Sequence, residues 1–315
     1  MDNKPKTLSY WLLKGAVSLL ANIPRHQIAK LAEPLGALWY GLDRNHRRIA
    51  YENMRGAFGS ASSPEAIQRM VKANFVQLTR VALEIPSLLK LNRDNLANHA
   101  VFSGLPHFQN ALRKGTGILF LTAHLGNWEL MALAGSLTFD IPFHLVVRKL
   151  DVKPMDQILT EIRCRTGNTL INKNTAARPI NRFLKEKQAV GILLDQNASW
   201  HEGVYVPFFG TTACTNKGLA MFALRHDATV LPIFNTRQTD GRYKITVDPP
   251  VDLIRTGDLR RDLVENTAIF NQIIEKHIRS APDNWLWVHR RWRVKRVPEH
   301  AREKVSELTL NHKAR

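Results

Sequence analysis

Cysteine is scarce in this chain, with two among 315 residues, Cys164 and Cys214. They match no zinc-ligand spacing and no disulfide framework, which argues against small disulfide-stapled domains and favours a reducing compartment. Acidic residues are also few, 27 against 45 lysines and arginines, and the net charge is +18. Such an excess attracts polyanions, whether nucleic acid, an anionic membrane or an acidic protein.

A long uninterrupted apolar run is missing as well. The N-terminal stretch 8–23 is broken by Lys14 and is short for a membrane span, which needs about 20 apolar residues. No small-residue cleavage site follows it, so we predict no cleavable signal peptide. Over 8–24, an amphipathic helix would gather most of its apolar side chains on one face, which comprises Leu8, Trp11, Leu12, Gly15, Ala16, Leu19 and Ile23. This pattern favours a helix that lies in a membrane interface, and the alternative is a helix docked on the protein's own core.

Short apolar runs alternate with helical patterns in the second part of the chain. The runs are GILFLTA, HLVVR, AVGILLD and ATVLPIFNT. Helix-like stretches such as 153–165 and 216–226 separate them. This alternation predicts an α/β fold, with a mostly parallel central sheet flanked by helices. We expect a helical N-terminal portion over 1–100, the α/β core over 101–296 and a polar tail over 297–315.

Three later segments have individual predictions. YKITVDPP alternates apolar and polar residues, which indicates a strand nearer an edge of the sheet. GVYVPFFG is predicted to be a loop, with Phe208 and Phe209 facing the core, and the alternative is that they face an acyl chain. NWLWVHRRWR follows a helix ended by Pro282 and is predicted to be the last strand.

The segment FLTAHLGNWEL, 120–130, contains the candidate catalytic residues. The strand is predicted to end at Ala123, which places His124 at the carboxyl edge, where open α/β sheets bind ligands. Asn127 is a favourable N-cap, so Glu129 would lie in the first helical turn and fold back toward the imidazole. A carboxylate there would fix the tautomer and stabilise the imidazolium. We predict that His124 is a general base oriented by Glu129 and that a substrate hydroxyl is the nucleophile.

A structural interpretation of the same residues is also open. The helix macrodipole alone favours glutamate in a first turn, and a histidine at a strand end can simply cap a loop. Other chemistries have less support, because the sequence contains no G-x-S-x-G, no G-x-x-x-x-G-K-[ST] and no H-E-x-x-H.

The chain resembles the late acyltransferases of bacterial lipid A biosynthesis, the lauroyl/myristoyl transferase family, within the glycerolipid-type acyltransferases that carry an H-x-x-x-x-[DE] motif. The matching segments, in family order, are SGLPHFQNALRKGTGILFLTAHLGNWEL, VVRKLD, GILLDQNA, GVYVPFFG and NWLWVHRRWR, and the N-terminal NHRRIAYENMRGAFG also fits. The resemblance covers about 103 to 293, and the first and last segments are specific when they occur together.

The resemblance implies transfer of a fatty acyl chain from acyl-acyl carrier protein, or acyl-CoA in some relatives, to a hydroxyl of a lipid A precursor. It implies no metal or other cofactor, and a location at the cytoplasmic face of the cell inner membrane. The basic charge suits an acidic carrier and a phosphorylated glycolipid. Two alternatives stay open: the same chemistry on another lipid, such as a phosphatidylinositol mannoside or an aminolipid, and a basic nucleic-acid-binding protein.

Further candidate residues end strands or lie close to these motifs. Arg148 and Asp195 each end a predicted strand at the same edge as His124. Arg148 could hold a phosphate group, and Asp195 could be a second acidic partner of His124 or bind the acceptor. The alternative is that these two form an ion pair with each other. The other predicted substrate-binding residues are Asn127, Arg163, Arg290 and Arg291, with a solvated helix face as the alternative for Arg163.

Overall fold

The computed structural model describes residues 6–59 and 61–293. The N-terminal part consists of four helices: α1 Leu8–Leu20, α2 Arg25–Leu42, α3 Arg44–Phe58 and α4 Pro64–Glu84. Helix α4 begins at a favourable N-terminus, because the Ser63 side chain accepts a hydrogen bond from the Ala66 amide and proline occupies the first helical position. The predicted tail, 297–315, lies outside the described residues.

The remaining chain alternates strands and helices. The elements are β1 Ala100–Ser103, α5 Leu105–Lys114, β2 Ile118–Thr122, α6 Trp128–Phe139, β3 Phe143–Val147, α7 Lys153–Cys164, β4 Thr169–Asn172, α8 Ala177–Lys185, β5 Ala189–Leu193, β6 Gly203–Phe208, β7 Thr211–Asn216, α9 Gly218–His226, β8 Thr229–Arg237, β9 Tyr243–Val247 and α10 Leu259–Ser280.

Seven strands form the central sheet, in the order β1-β9-β8-β2-β5-β3-β4. Every neighbouring pair is parallel except β8 with β9. Strand β2 lies in the middle and is buried along its whole length, as its continuous apolar run predicts. The predicted fold class is therefore confirmed. The chain after β2 emerges at the centre of one sheet edge, and that position is where the site is built.

Two of the segment predictions are wrong. GVYVPFFG forms strand β6, which pairs with β7 in a two-stranded antiparallel sheet, although Phe208 and Phe209 are buried as expected. NWLWVHRRWR forms turns rather than a strand, apart from one isolated bridge between Leu125 and Trp285. The reason is that this segment buries side chains at positions that do not alternate, including Trp285, Trp287 and Arg291. YKITVDPP forms β9, one strand in from the edge.

Helix α1 docks on the protein by one flank and leaves the predicted apolar face outside. Tyr10 is fully buried, whereas Leu8, Leu12 and Leu19 are 75%, 67% and 75% exposed. The docked flank converges on Glu161 of α7, whose carboxylate accepts hydrogen bonds from Lys6 and Lys14, both at 2.7 Å, and from the Tyr10 hydroxyl. Within the described residues, no helix combines the length and the apolar character that crossing a bilayer requires.

Candidate active site

His124 and Asp195 meet at the carboxyl edge of the central sheet. Strands β2 and β5 pair in parallel with Thr122 opposite Leu193, so the residue two positions beyond each strand end lies beside the other. The Nδ1 atom of His124 lies 2.9 Å from Oδ1 of Asp195, and the His124 amide donates to Oδ2 at 3.0 Å. The imidazole is partly exposed, at 20%, and Nε2 has no hydrogen-bond partner among the described residues. A ligand at this edge can therefore reach Nε2.

Asp195 is fully buried and accepts a further hydrogen bond from Nε1 of Trp285, at 2.7 Å. Burial by itself would raise the pKa of this carboxyl group, but the imidazole of His124, the indole N–H and the His124 amide together hold its pKa below the ordinary value. Asp195 is therefore an ionised acid behind the histidine. A carboxylate in that position favours the tautomer with the proton on Nδ1 and leaves the outward Nε2 as a base.

Glu129 has other partners than the predicted one. Nε of Arg163 donates to Oε2 of Glu129 at 2.7 Å, the second guanidinium nitrogen donates to Oε1, and the indole N–H of Trp128 reaches Oε1 at 3.2 Å. The structure thus brings His124 to Asp195 and Glu129 to Arg163. The physical reason is that a bidentate guanidinium on α7 takes both glutamate oxygens, whereas β5 delivers Asp195 directly beside β2.

Trp128 connects the two pairs. Its ring meets the His124 ring edge-to-face, with centroids 5.1 Å apart, and its N–H is bonded to Glu129. The Glu129–Arg163 ion pair therefore holds an aromatic wall of the histidine site. Both members are largely buried, with 6% and 14% of their side chains exposed, so Arg163 does not lie on the solvated helix face that was the alternative to substrate binding.

Asn127 is part of the loop framework. Its side chain caps α6 by accepting from the Leu130 amide at 3.0 Å, as predicted, and its Nδ2 donates to the buried carboxylate of Glu84 at 3.3 Å. Asn127 is 1% exposed, so the predicted substrate contact is corrected. Glu84 is itself paired with Arg237 at 2.6 Å. Sequence reasoning missed Glu84 and Arg237, because nothing in their local patterns marks them.

Gly126 sets the turn between His124 and α6. Its φ is +61°, and a Cβ there would lie 2.5 Å from the carbonyl oxygen of Asn235. The Asn235 side chain also accepts the Asn127 amide at 2.8 Å, which pins the turn to β8. The close approach to β8 therefore requires glycine at this position.

We expect Gly126→Ala to lower the free energy of unfolding by at least about 1–3 kcal/mol and to reduce catalytic activity on the order of tenfold, because a moved turn misplaces His124. Thermal unfolding and an activity assay measure the two effects. Gly115→Ala is the matched control, because Gly115 has a similar φ of +67° but open space around a Cβ. Equal activity losses in the two variants would show that the close approach at Gly126 is unimportant.

The predicted arginines are placed differently from one another. Arg148 follows β3, which β5 separates from β2, and it is exposed and paired with Asp151 at 3.1 Å. Arg148 and Asp195 therefore do not form the ion pair considered above. Arg290 is exposed, with a 3.5 Å contact to Asn45. Arg291 is fully buried, so its predicted contact with substrate is corrected: the guanidinium faces the protein interior.

The described residues contain no group of three or more histidine, cysteine, aspartate and glutamate side chains that could hold a metal ion. The functional residue that sequence reasoning missed at the centre of the site is Trp285. No pattern in the sequence indicated that its indole N–H would bind Asp195.

Comparison with known proteins identifies the class, and the protein is an acyltransferase. It belongs to the bacterial lipid A biosynthesis acyltransferase family, whose model matches residues 2–294. The predicted resemblance is thereby confirmed.

Among its relatives are two Escherichia coli enzymes of this family. The lipid A biosynthesis palmitoleoyltransferase is 24% identical over 94% of each chain, and the lauroyltransferase is 25% identical over 92% of this chain and 93% of the relative. A Mycobacterium tuberculosis phosphatidylinositol mannoside acyltransferase is 26% identical over 66% of each chain. A solved 1-acyl-sn-glycerophosphate acyltransferase from Thermotoga maritima aligns with a TM-score of 0.37 and 12% identity, over 80% of this chain and 98% of its own.

Proposed function

We propose that this enzyme transfers a fatty acyl chain from an acyl carrier protein thioester, or acyl-CoA, to a hydroxyl of a lipid A precursor at a membrane surface, with His124 as the general base. The observation that carries the proposal is the His124–Asp195 contact of 2.9 Å, which leaves Nε2 without a partner among the described residues at the carboxyl edge of the sheet. The family to which the chain belongs and its two Escherichia coli relatives support the acceptor class.

The chemistry balances with these residues alone. Nε2 of His124 takes the proton of the acceptor hydroxyl as the oxygen attacks the thioester carbonyl. Asp195 accepts the Nδ1 proton in a hydrogen bond and stabilises the imidazolium. The tetrahedral intermediate collapses with cleavage of the C–S bond, and the thiolate that leaves takes the proton back from Nε2. The products are the ester and the free carrier thiol, and the enzyme returns to its starting state.

Glu129 has a supporting role in this scheme. Its charge is matched by Arg163, and its link to Trp128 fixes the aromatic edge against the His124 ring. We assign the orientation of the imidazole to Asp195. We assign the position of the Trp128 ring beside it to the Glu129–Arg163 pair. This replaces the dyad of His124 and Glu129 that the sequence suggested.

The exposed face of α1 supports association with the membrane. Three leucines and Trp11 project outward from a helix whose other flank is fixed to α7, which is the arrangement of a helix that lies in the interface. The net charge of +18 adds attraction to anionic lipid headgroups and to an acidic carrier protein. The inner membrane and its cytoplasmic face are the location that this acceptor and carrier imply.

We expect the double change Leu12→Gln and Leu19→Gln to reduce the binding of the protein to vesicles on the order of 10²-fold or more, because each leucine loses a burial free energy of about 1.5–3 kcal/mol. Flotation with anionic vesicles measures the bound fraction. The matched control, Leu112→Gln with Leu259→Gln, removes exposed leucines from other helices, at 40% and 58% exposure. Salt should release little of the unchanged protein. Equal losses in the two doubles would exclude α1 as the anchor.

A second acceptor class has one observation in its favour. The Mycobacterium tuberculosis relative is named for a phosphatidylinositol mannoside, and it matches two thirds of this chain with similar identity. The active-site geometry performs the same step on either lipid hydroxyl. The lipid A precursor is the stronger proposal because the longer matches, over more than nine tenths of this chain, are to lipid A enzymes.

Mass spectrometry of lipids from cells with and without the gene tests the function. The expected result is lipid A that lacks the mass of one acyl chain when the gene is removed and regains it on complementation. Unchanged lipid A, with the loss of an acyl chain from another glycolipid, would transfer the proposal to that acceptor. A purified enzyme that acylates neither class would contradict it.

A further inference from the structure

The segment 284–293, which we call the C-terminal clamp, contacts the loop that carries the base. The Gly126 amide donates to the Asn284 carbonyl at 2.9 Å, and the Leu286 amide donates to the His124 carbonyl at 3.1 Å. The bridge between Leu125 and Trp285 lies between these two bonds. Three consecutive residues of the base loop are therefore fixed to the clamp through main-chain contacts.

The same segment also contacts the loop that carries the acid. Trp285 binds the Asp195 carboxylate, the Asn197 amide donates to Nε2 of His289 at 3.1 Å, and the Asn197 side chain donates to the Arg293 carbonyl at 2.9 Å. The clamp thus joins the two loops, which otherwise meet through the His124–Asp195 pair itself and the main-chain bonds of neighbouring strands.

Arg291 is the buried cation of the clamp. It donates to the carbonyl of Cys214 at 2.8 Å and to the hydroxyl of Thr215 at 2.6 Å, with a longer contact of 3.5 Å to the carbonyl of Gln196, next to Asp195. Its Nε has no partner among the described residues. Burial lowers the pKa of Arg291 to about 10, and the charge of Asp195 acts against that decrease, so the guanidinium stays protonated at neutral pH. A buried cation is costly unless a nearby anion offsets it.

We propose that Arg291 is a positioning residue of the acyl transfer, which shares the charge of Asp195 with His124 and thereby limits how strongly the imidazole holds a proton. The inference rests on the proposed role of the His124–Asp195 pair. The imidazolium must release its proton to the leaving thiolate. This release is easier when the carboxylate of Asp195 also interacts with Arg291, because Asp195 then stabilises the imidazolium less strongly. The buried position of Arg291, with no carboxylate in direct contact, is accounted for in this way.

The other titratable groups around the pair do not supply this charge. Burial lowers the pKa of His289 to about 4, although Asp195 acts in the opposite direction, and its Nε2 accepts a hydrogen bond, so His289 is neutral. Burial raises the pKa of the Cys214 thiol, so it is neutral as well. Lys173 follows β4, which β3 separates from β5, the strand that precedes Asp195. Arg291 is thus the buried cation beside the Asp195 loop, through its 3.5 Å contact with the carbonyl oxygen of Gln196.

Three variants of the full-length enzyme separate charge from geometry. Arg291→Met and Arg291→Gln remove the cation, and Arg291→Lys keeps it. In both neutral variants we expect kcat to fall on the order of tenfold with KM little changed. We also expect the acid limb of the pH profile of kcat/KM, where activity falls as His124 is protonated, to move to a higher pH by on the order of one pH unit. The sign follows because a cation that is lost leaves the full carboxylate charge to stabilise the imidazolium. Arg291→Lys should keep the limb in place and recover part of kcat.

Arg261→Met, which removes an exposed arginine on α10, is the control and should leave the profile unchanged. An unmoved acid limb in the neutral variants, or the same limb shift in Arg291→Lys, would overturn the proposal. So would failure of both neutral variants to fold, because Arg291 would then serve folding alone. His124→Ala keeps the two ideas distinct: if it stays active the proposed function fails, whereas if it is inactive and the limb never moves only this inference fails.

Discussion

His124→Ala should lower kcat/KM for acyl transfer by on the order of 10²- to 10⁴-fold, which is what a general base contributes. The physical reason is that, in the described part of the chain, His124 is the residue that combines a contact with Asp195 and an unbonded ring nitrogen at the sheet edge. The fold should persist, because the imidazole is partly exposed and Asp195 keeps its bond from Trp285. The measurement is steady-state transfer from acyl carrier protein thioester to purified acceptor, together with the thermal unfolding midpoint.

His26→Ala is the matched control, since it truncates an exposed histidine on helix α2. It should leave kcat/KM within a factor of two or so of the unchanged enzyme, as surface substitutions usually do. Near-normal activity of His124→Ala on the acceptor lipid would contradict the general-base mechanism, whatever the result for the control.

Asp195→Asn is the second change for which we expect a large effect, again on the order of 10²- to 10⁴-fold in kcat. An amide keeps the shape of the carboxylate but can offer N–H to Nδ1 of His124, which moves the imidazole proton to Nε2 and removes the base. The matched comparison is Glu129→Gln. A glutamine keeps one acceptor oxygen for the Trp128 indole and one Arg163 nitrogen but loses the acceptor for the second Arg163 nitrogen, so we expect that change to cost on the order of tenfold.

The order of these two effects decides between the structure and the first hypothesis from the sequence. A larger loss for Glu129→Gln than for Asp195→Asn, at equal thermal stability, would make the glutamate the orienting acid. It would mean that Glu129 leaves Arg163 and turns to His124 when substrate is bound.

The local features of the site follow from the sequence, because they depend on neighbours in the chain. The apolar run of β2, the position of His124 just beyond it and the Asn127 cap of α6 were all predicted in place. Each depends on strand burial or on a helix end that a few adjacent residues specify.

The pairing of His124 with Asp195 depends instead on strand order. Many orders of seven strands bury the same apolar runs, and only the one with β5 beside β2 places these two residues together. Arg291 shows the same limit: its basic neighbours suggest a surface, whereas the packing of the C-terminal clamp buries it. Long-range contacts of this kind leave no periodic signal in the residues around them.

The state of the His124 imidazole tests the central claim most directly. Nitrogen NMR of the enzyme labelled with ¹⁵N-histidine, with His124 assigned by its loss in His124→Ala, distinguishes a protonated from an unprotonated ring nitrogen. At neutral pH we predict a proton on Nδ1 and an unprotonated Nε2, a pattern that persists in Glu129→Gln and is lost in Asp195→Asn. A proton on Nε2 in the unchanged enzyme, or a pattern that Glu129→Gln abolishes and Asp195→Asn leaves intact, would contradict the assignment of Asp195 as the acid that makes His124 a base.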